Sequence, residues 1–170
     1  VTTFHGTYGT ENELKRWYNS VMLRGDKVIA ISNFIARHIE ENYQNFDASK
    51  LIIIPRGVDL VAFDPSSIAS SRIIKLSQKW RIPDGIPIIM FPARFARWKG
   101  HQILIDALAK MKTKEFLCLI IGRNDNHYSY FRQLEKLVDK LNLETKVRFI
   151  NHESDMPAAY MLADVVVSAS

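Results

Sequence analysis

Phe91-Pro-Ala-Arg-Phe-Ala-Arg-Trp-Lys-Gly100 joins two different hydrophobic periods. It continues the apolar run Pro87-Ile-Ile-Met-Phe91, which is short and uninterrupted, as in a strand buried on both faces of a parallel sheet. It leads into residues His101 to Lys112, where Ile103, Leu104, Ala107, Leu108 and Met111 recur at spacings of three and four, the mark of an amphipathic helix. The stretch is therefore read as strand, loop and helix, with Arg94, Arg97 and Lys99 in the loop and Gly100 opening the helix. Parallel sheets bind ligands at the carboxyl ends of their strands, and a helix N-terminus there attracts anions. Two or three cations on such a loop suit a diphosphate, arginine offering a forked contact and lysine a point charge. An exposed basic loop without a specific role fits the same residues, and the local chemistry leaves both readings open.

The alternation extends in both directions. Runs read as strands are Lys27–Ile31, Lys50–Ile54, Phe116–Ile121, Val147–Ile150 and Asp164–Val167, most of them continuously apolar. From Tyr128 to Leu141, Phe131, Leu134, Leu137, Val138 and Leu141 share one helical face. Strand, helix, strand in repetition predicts a doubly wound α/β architecture. The rhythm breaks between Gly57 and Gly85. There Asp64-Pro65-Ser66-Ser67 opens a polar helical stretch ending near Trp80, and Pro83-Asp84-Gly85 is a strong turn signal. A domain boundary is expected in this region.

Hydrophobic residues make up 47% of the 170 and charged residues 24%, enough apolar material for a sizeable core. With 23 Lys+Arg against 18 Asp+Glu, the net charge is +5. A mild basic excess suits phosphorylated small molecules, an anionic membrane surface or nucleic acid, and equally a solvated surface with no partner. Cys118 is the single cysteine, so no intrachain disulfide forms, and its apolar run makes it a small core residue. No apolar stretch approaches the ~18–20 residues of a membrane span, and a cytoplasmic location is the expectation. There is no Gly-x-Gly-x-x-Gly, Walker Gly-Lys-Ser/Thr or His-Glu-x-x-His, which argues against dinucleotide oxidoreductases, P-loop NTPases and zincins. Nor is there an Asp-x-Asp. His38, His101 and His127 lack the spacing of a metal set and are read as structural.

Several segments in register resemble group 1 glycosyltransferases, retaining enzymes of the GT-B fold that include bacterial lipopolysaccharide and capsule sugar transferases. Arg94-Phe-Ala-Arg-Trp-Lys99-Gly100 with Leu104-Ile-Asp-Ala-Leu108 is similar to the family's "R…KG…A" signature, and Gly25–Ser32 to its "ADxVIAxS" strand. Ile54-Pro-Arg-Gly57-Val58-Asp59 resembles the "PNGVD" turn, with Arg56 in place of the usual Asn. Leu119-Ile-Ile-Gly122 looks like the strand ending near the nucleotide, and Met156–Tyr160 with Leu162–Ser170 like "YxxADVxVxPS". Phe4-His5-Gly6-Thr7-Tyr8-Gly9 resembles the "HG" strand end of the N-terminal domain.

The resemblance implies parts of two Rossmann-like domains. Residues 1–64 would be the C-terminal part of the acceptor-side domain, 65–85 a linker region, and 86–170 the N-terminal part of the donor-nucleotide domain. It implies that Arg94, Lys99 and Gly100 hold the donor diphosphate, and that His5 acts catalytically on the donor from a loop it shares with Gly6. Gly122, Arg123, Asn151 and His152 would lie beside the nucleotide. The reaction implied is transfer of a sugar from a nucleoside-diphosphate donor to a hydroxyl acceptor with retention. A cell-envelope glycan or glycolipid acceptor, reached by peripheral membrane association, is the expected partner, and nucleic acid is not. No metal and no other cofactor is expected, since fixed cations would stabilise the leaving diphosphate. The family's Glu-x7-Glu segment and the first strands of its N-terminal domain are absent from the 170 residues, so the chain is expected to be an inactive, self-associating piece of the enzyme. Two alternatives are a non-catalytic remnant that at most binds nucleotide and, ranked lower, a GT-B sugar-nucleotide epimerase.

Overall fold

The runs that alternate neither with polar residues nor with helical spacing are strands, and all pair in parallel. The computed structural model describes residues 1–9, 12–111, 115–123 and 128–170. These residues divide into two compact units, Val1–Val58 and Asp59–Ser170. The sequence reading instead separated its domains by a linker over 65–85, a stretch whose helix packs into the second unit.

In the first unit, β1 (Thr2–Phe4), β2 (Val28–Ala30) and β3 (Leu51–Ile53) form a sheet in the order β1-β2-β3. Phe4 stands beside Ala30, and Ala30 beside Ile53. Helix α1 (Glu13–Asn19) starts at Asn12, whose side chain accepts the Leu14 N–H at 2.8 Å. Helix α2 (Asn33–Asn42) starts at Ser32, whose hydroxyl accepts the Ile35 N–H at 3.2 Å. Such caps satisfy donors that the first turn leaves unpaired. Ile35, Ala36 and Ile39 of α2 pack with Phe4, Val28, Ala30 and Tyr43, whereas α1 buries none of its residues. Fully burying a side chain such as Phe4 or Ile39 stabilises by roughly 1.5–3 kcal/mol.

In the second unit, β4 (Ile88–Pro92), β5 (Leu117–Ile121), β6 (Val147–Ile150) and β7 (Val165–Val166) lie in the order β6-β5-β4-β7. Successive residues of a strand face opposite ways, and β5 shows it directly. Cys118 and Ile120 pack with Leu104, Ile105 and Leu108 of α4 (His101–Ala109) and with Leu134 and Val138 of α5 (Tyr128–Lys140). Leu117, Leu119 and Ile121 pack with Leu76 of α3 (Ser70–Lys79), with Trp80, and with Ala158 and Ala159 of α6 (Met156–Tyr160). Helices thus cover both faces, and the fold is α/β, doubly wound and Rossmann-like, as the sequence predicts.

Burial on both faces holds for β5, where all five residues are buried, and fails for β3 and β7. Ile53 is 45% exposed and Val165 54% exposed. Both strands end their sheets in the observed order, so an apolar run there is paired on one side only. No helix among the described residues is long and apolar enough to cross a membrane.

Candidate functional site

The carboxyl ends of β4, β5 and β6 lie side by side, and their loops are tied through the backbone. Ala93 N–H donates to Ile121 O at 2.9 Å, Phe95 N–H to Arg123 O at 3.4 Å, and Gly122 N–H to Ile150 O at 3.1 Å. The loops carrying Arg94, Gly122 and Asn151 therefore share one edge of the second sheet, where the topology of a parallel sheet places its ligand.

After β4 the chain makes a 3₁₀ turn over Arg97–Lys99 and reverses through Gly100 into α4. Gly100 has φ 76°, a left-handed conformation that a side chain disfavours. A Cβ there would also overlap the Ala169 carbonyl oxygen, so glycine is required twice over. No side chain caps α4, in contrast to α1 and α2. Lys99 Nζ lies 3.9 Å from the centroid of the Trp98 ring and the Arg94 guanidinium carbon 6.0 Å from it. One indole, 61% exposed, thus gathers both cations. Lys99 also donates to Ser170 Oγ at 3.2 Å. Neither cation meets a carboxylate among the described residues.

Arg97 is engaged elsewhere. It donates to Gln133 Oε1 at 2.7 Å and lies over the Tyr130 ring at 5.2 Å. Of three cations in the loop, two therefore sit around Trp98 and the third is tied to α5. The sequence reading gave Trp98 no role, and its place between two cations in the motif was the available signal.

Gly122 lets two backbones meet, since a Cβ on it would overlap the Ala93 carbonyl oxygen just before Arg94. Arg123 and the pair Asn151 and His152 are exposed at the same edge, and Asn151 Oδ1 accepts the His152 N–H at 2.9 Å. Asp125 and His127 lie outside the described residues. Two pairs that sequence reasoning missed hold the chain beyond Asn151. Arg72 makes a two-pronged contact to Asp155 (2.6 and 2.9 Å), and Lys79 donates to Glu153 Oε2 at 2.7 Å. Burial pushes the Glu153 carboxyl up, but the Lys79 hydrogen bond and charge and the N–H groups of Asp155 and Ser154 outweigh it, so its pKa falls below the usual value.

His101 is fully buried against the rings of Phe91, Phe95 and Tyr130. Burial lowers its pKa; the nearby Ala93 and Ala96 carbonyls oppose that shift, and the charge on Lys99 adds to it. In β5, burial pushes the Cys118 thiol up to about 12 and leaves it protonated.

In the first unit, His5 and Gly6 follow β1 at the carboxyl edge of that sheet, and His5 is exposed. Arg56, beyond β3, reaches its ring, with Nη2 at 2.9 Å from Nδ1. No three His, Cys, Asp or Glu side chains gather as a metal would require among the described residues.

The second unit is thus a doubly wound α/β domain with cations gathered at the N-terminus of a crossover helix. The family described as "Glycosyl transferases group 1" matches residues 73–170, and "Glycosyltransferase Family 4" matches residues 1–61. The chain belongs to the group 1 glycosyltransferases, and its two units are partial Rossmann-like domains of the GT-B fold. A glycosyltransferase from Rickettsia africae is 39% identical, with a TM-score of 0.87 over 99% of this chain and 44% of that one. Anabaena HepE, solved with UDP and glucose, shares the fold at 22% identity and a TM-score of 0.83, over 99% of this chain and 46% of that one. The trehalose synthase of Thermococcus litoralis is 26% identical over 145 residues, 78% of this chain and 34% of that protein. The chain thus spans about a third to a half of the length of these relatives.

Proposed function

We propose that the chain supplies the donor-diphosphate site of a glycosyltransferase that moves a sugar from a nucleoside-diphosphate donor to a hydroxyl acceptor. The observation that carries this reading is the meeting of Arg94 and Lys99 around Trp98, beside the uncapped N-terminus of α4. Charge develops on the diphosphate as the glycosidic bond to the sugar breaks. Fixed cations and helix N–H groups stabilise that charge without reorganising, the role a metal ion fills elsewhere. In this reading Gly122 lets the loops close around the nucleotide, Arg123, Asn151 and His152 border it, and His5 donates a hydrogen bond to the donor. The uridine nucleotide bound by HepE makes UDP the first nucleotide to test.

The finer assignments are retention at the anomeric carbon, a cell-envelope glycan or glycolipid acceptor, and a cytoplasmic protein working at the inner membrane face. They rest on the motif resemblance and on the +5 charge, which favours an anionic surface. A second reading, nucleotide binding without transfer, draws on the same cations, which can hold a diphosphate whether or not an acceptor binds.

Titration of UDP into the chain, followed by phosphorus NMR, tests the site. Broadening or shift of both phosphate signals, lost on Lys99→Ala, is expected, and unshifted signals with the wild-type chain would refute it. Transfer is tested separately with labelled nucleoside-diphosphate sugars and a panel of acceptors. A product that keeps the donor's anomeric configuration supports retention, an inverted product refutes it, and UDP binding without product favours the second reading.

A further inference from the structure

His5 and Arg56 are 51 positions apart and follow β1 and β3, the outer strands of their sheet, so they meet beyond the carboxyl end of β2. The contact is between Arg56 Nη2 and His5 Nδ1, at 2.9 Å. A guanidinium has donors and no acceptor, so the hydrogen bond uses the Nδ1 lone pair. A neutral imidazole whose Nδ1 accepts carries its proton on Nε2. We propose that Arg56 is a positioning residue that holds His5 in its Nε2–H form, so that the ring offers a hydrogen-bond donor at the ligand edge of the first sheet. Such a donor matches the oxygen acceptors of a phosphate or a sugar hydroxyl. This inference rests on the reading of His5 as a donor-contacting residue, but the tautomer can be measured without it. The Asn usual at this position of the motif both donates and accepts through its amide and would fix neither form.

The experiment is two-bond proton–nitrogen correlation of the ¹⁵N-labelled chain at pH 8, without nucleotide, for wild type, Arg56→Met and Arg56→Lys. Both side chains are exposed, so the substitutions leave the core untouched. Wild-type His5 is expected to show an unprotonated Nδ1 and a protonated Nε2, fully separated in nitrogen shift. In Arg56→Met the two shifts should move towards each other as both tautomers populate, and Arg56→Lys, which keeps a donor, should recover the wild-type pattern. An averaged or Nδ1-protonated ring in the wild type, an unchanged spectrum in Arg56→Met, or no recovery in Arg56→Lys would overturn the proposal. None of these results depends on whether the chain transfers sugar, so failure here is separable from failure of the proposed function.

Discussion

Lys79 Nζ donates to Glu153 Oε2 at 2.7 Å, joining the end of α3 to the loop that follows β6, although the two residues are 74 positions apart. The Lys79 side chain is 59% exposed while that of Glu153 is 6% exposed, so the carboxylate carries the constraint. Its other oxygen accepts the N–H groups of Ser154 and Asp155 at 2.9 and 3.0 Å. One buried carboxylate thereby fixes the turn directly after Asn151 and His152.

Replacing Glu153 with Ala is expected to destabilise the second unit by about 2 kcal/mol, because two backbone donors and Lys79 lose their acceptor. Thermal unfolding at pH 7 measures it. The pKa of Glu153 is depressed below its ordinary 4.5, so its stabilisation is complete above that value and is lost as pH falls through the folded-state value. The gap in stability between wild type and Glu153→Ala should therefore narrow as the pH falls below 4.5. A gap that persists at full size at pH 2–3 would refute this role.

His101 acts in a different pH window. Its folded-state pKa lies below the ordinary 6.5 because burial disfavours the charged ring. The unfolded chain takes up a proton that the folded chain does not, so stability falls as pH drops below about 6.5. Wild type is expected to lose stability between pH 7.5 and 5.5 in chemical denaturation, and His101→Leu to lose less over the same interval. Equal losses in both proteins would show that His101 is not the titrating group.

Gly122→Ala is expected to destabilise by roughly 1–3 kcal/mol, since the new methyl group meets the Ala93 carbonyl in the backbone rather than a movable side chain. Urea denaturation reads the cost. Gly57→Ala, where a Cβ meets nothing within 4 Å, is the control and should stay within about 0.5 kcal/mol of wild type.

The second unit was legible in the sequence wherever a period changed. Ile88 to Phe91 is continuously apolar and helical spacing begins after Gly100, so the join between them had to be a loop at the ligand edge of a sheet. The helix itself ends at Ala109 and buries Leu104, Ile105 and Leu108 while leaving Ile103 exposed. Gly100 and Gly122 entered through the motif resemblance, and their left-handed turn and close backbone approach emerge only in the structure. What could not be read depends on distance. Nothing near Glu153 points to Lys79, and nothing near His5 points to Arg56, because each pair exists only once strands far apart in sequence stand side by side. Likewise the selection among Arg94, Arg97 and Lys99 was invisible locally, because Gln133 and Tyr130 of α5 draw Arg97 away. The exposure of β3 and β7 was misjudged for the same reason, since an apolar run does not say whether its strand ends the sheet.

The most direct test of the diphosphate clamp is calorimetric titration of UDP into the chain and into its Arg94→Ala, Lys99→Ala and Arg97→Ala variants. Loss of a charge-assisted contact weakens binding by roughly 1–3 kcal/mol, or about 5- to 150-fold. The expected result is a loss of that size for Arg94→Ala and for Lys99→Ala, with a smaller loss for Arg97→Ala, whose guanidinium is held by Gln133 and Tyr130. Unchanged affinity in Arg94→Ala and Lys99→Ala, or a greater loss in Arg97→Ala than in either, would contradict the clamp.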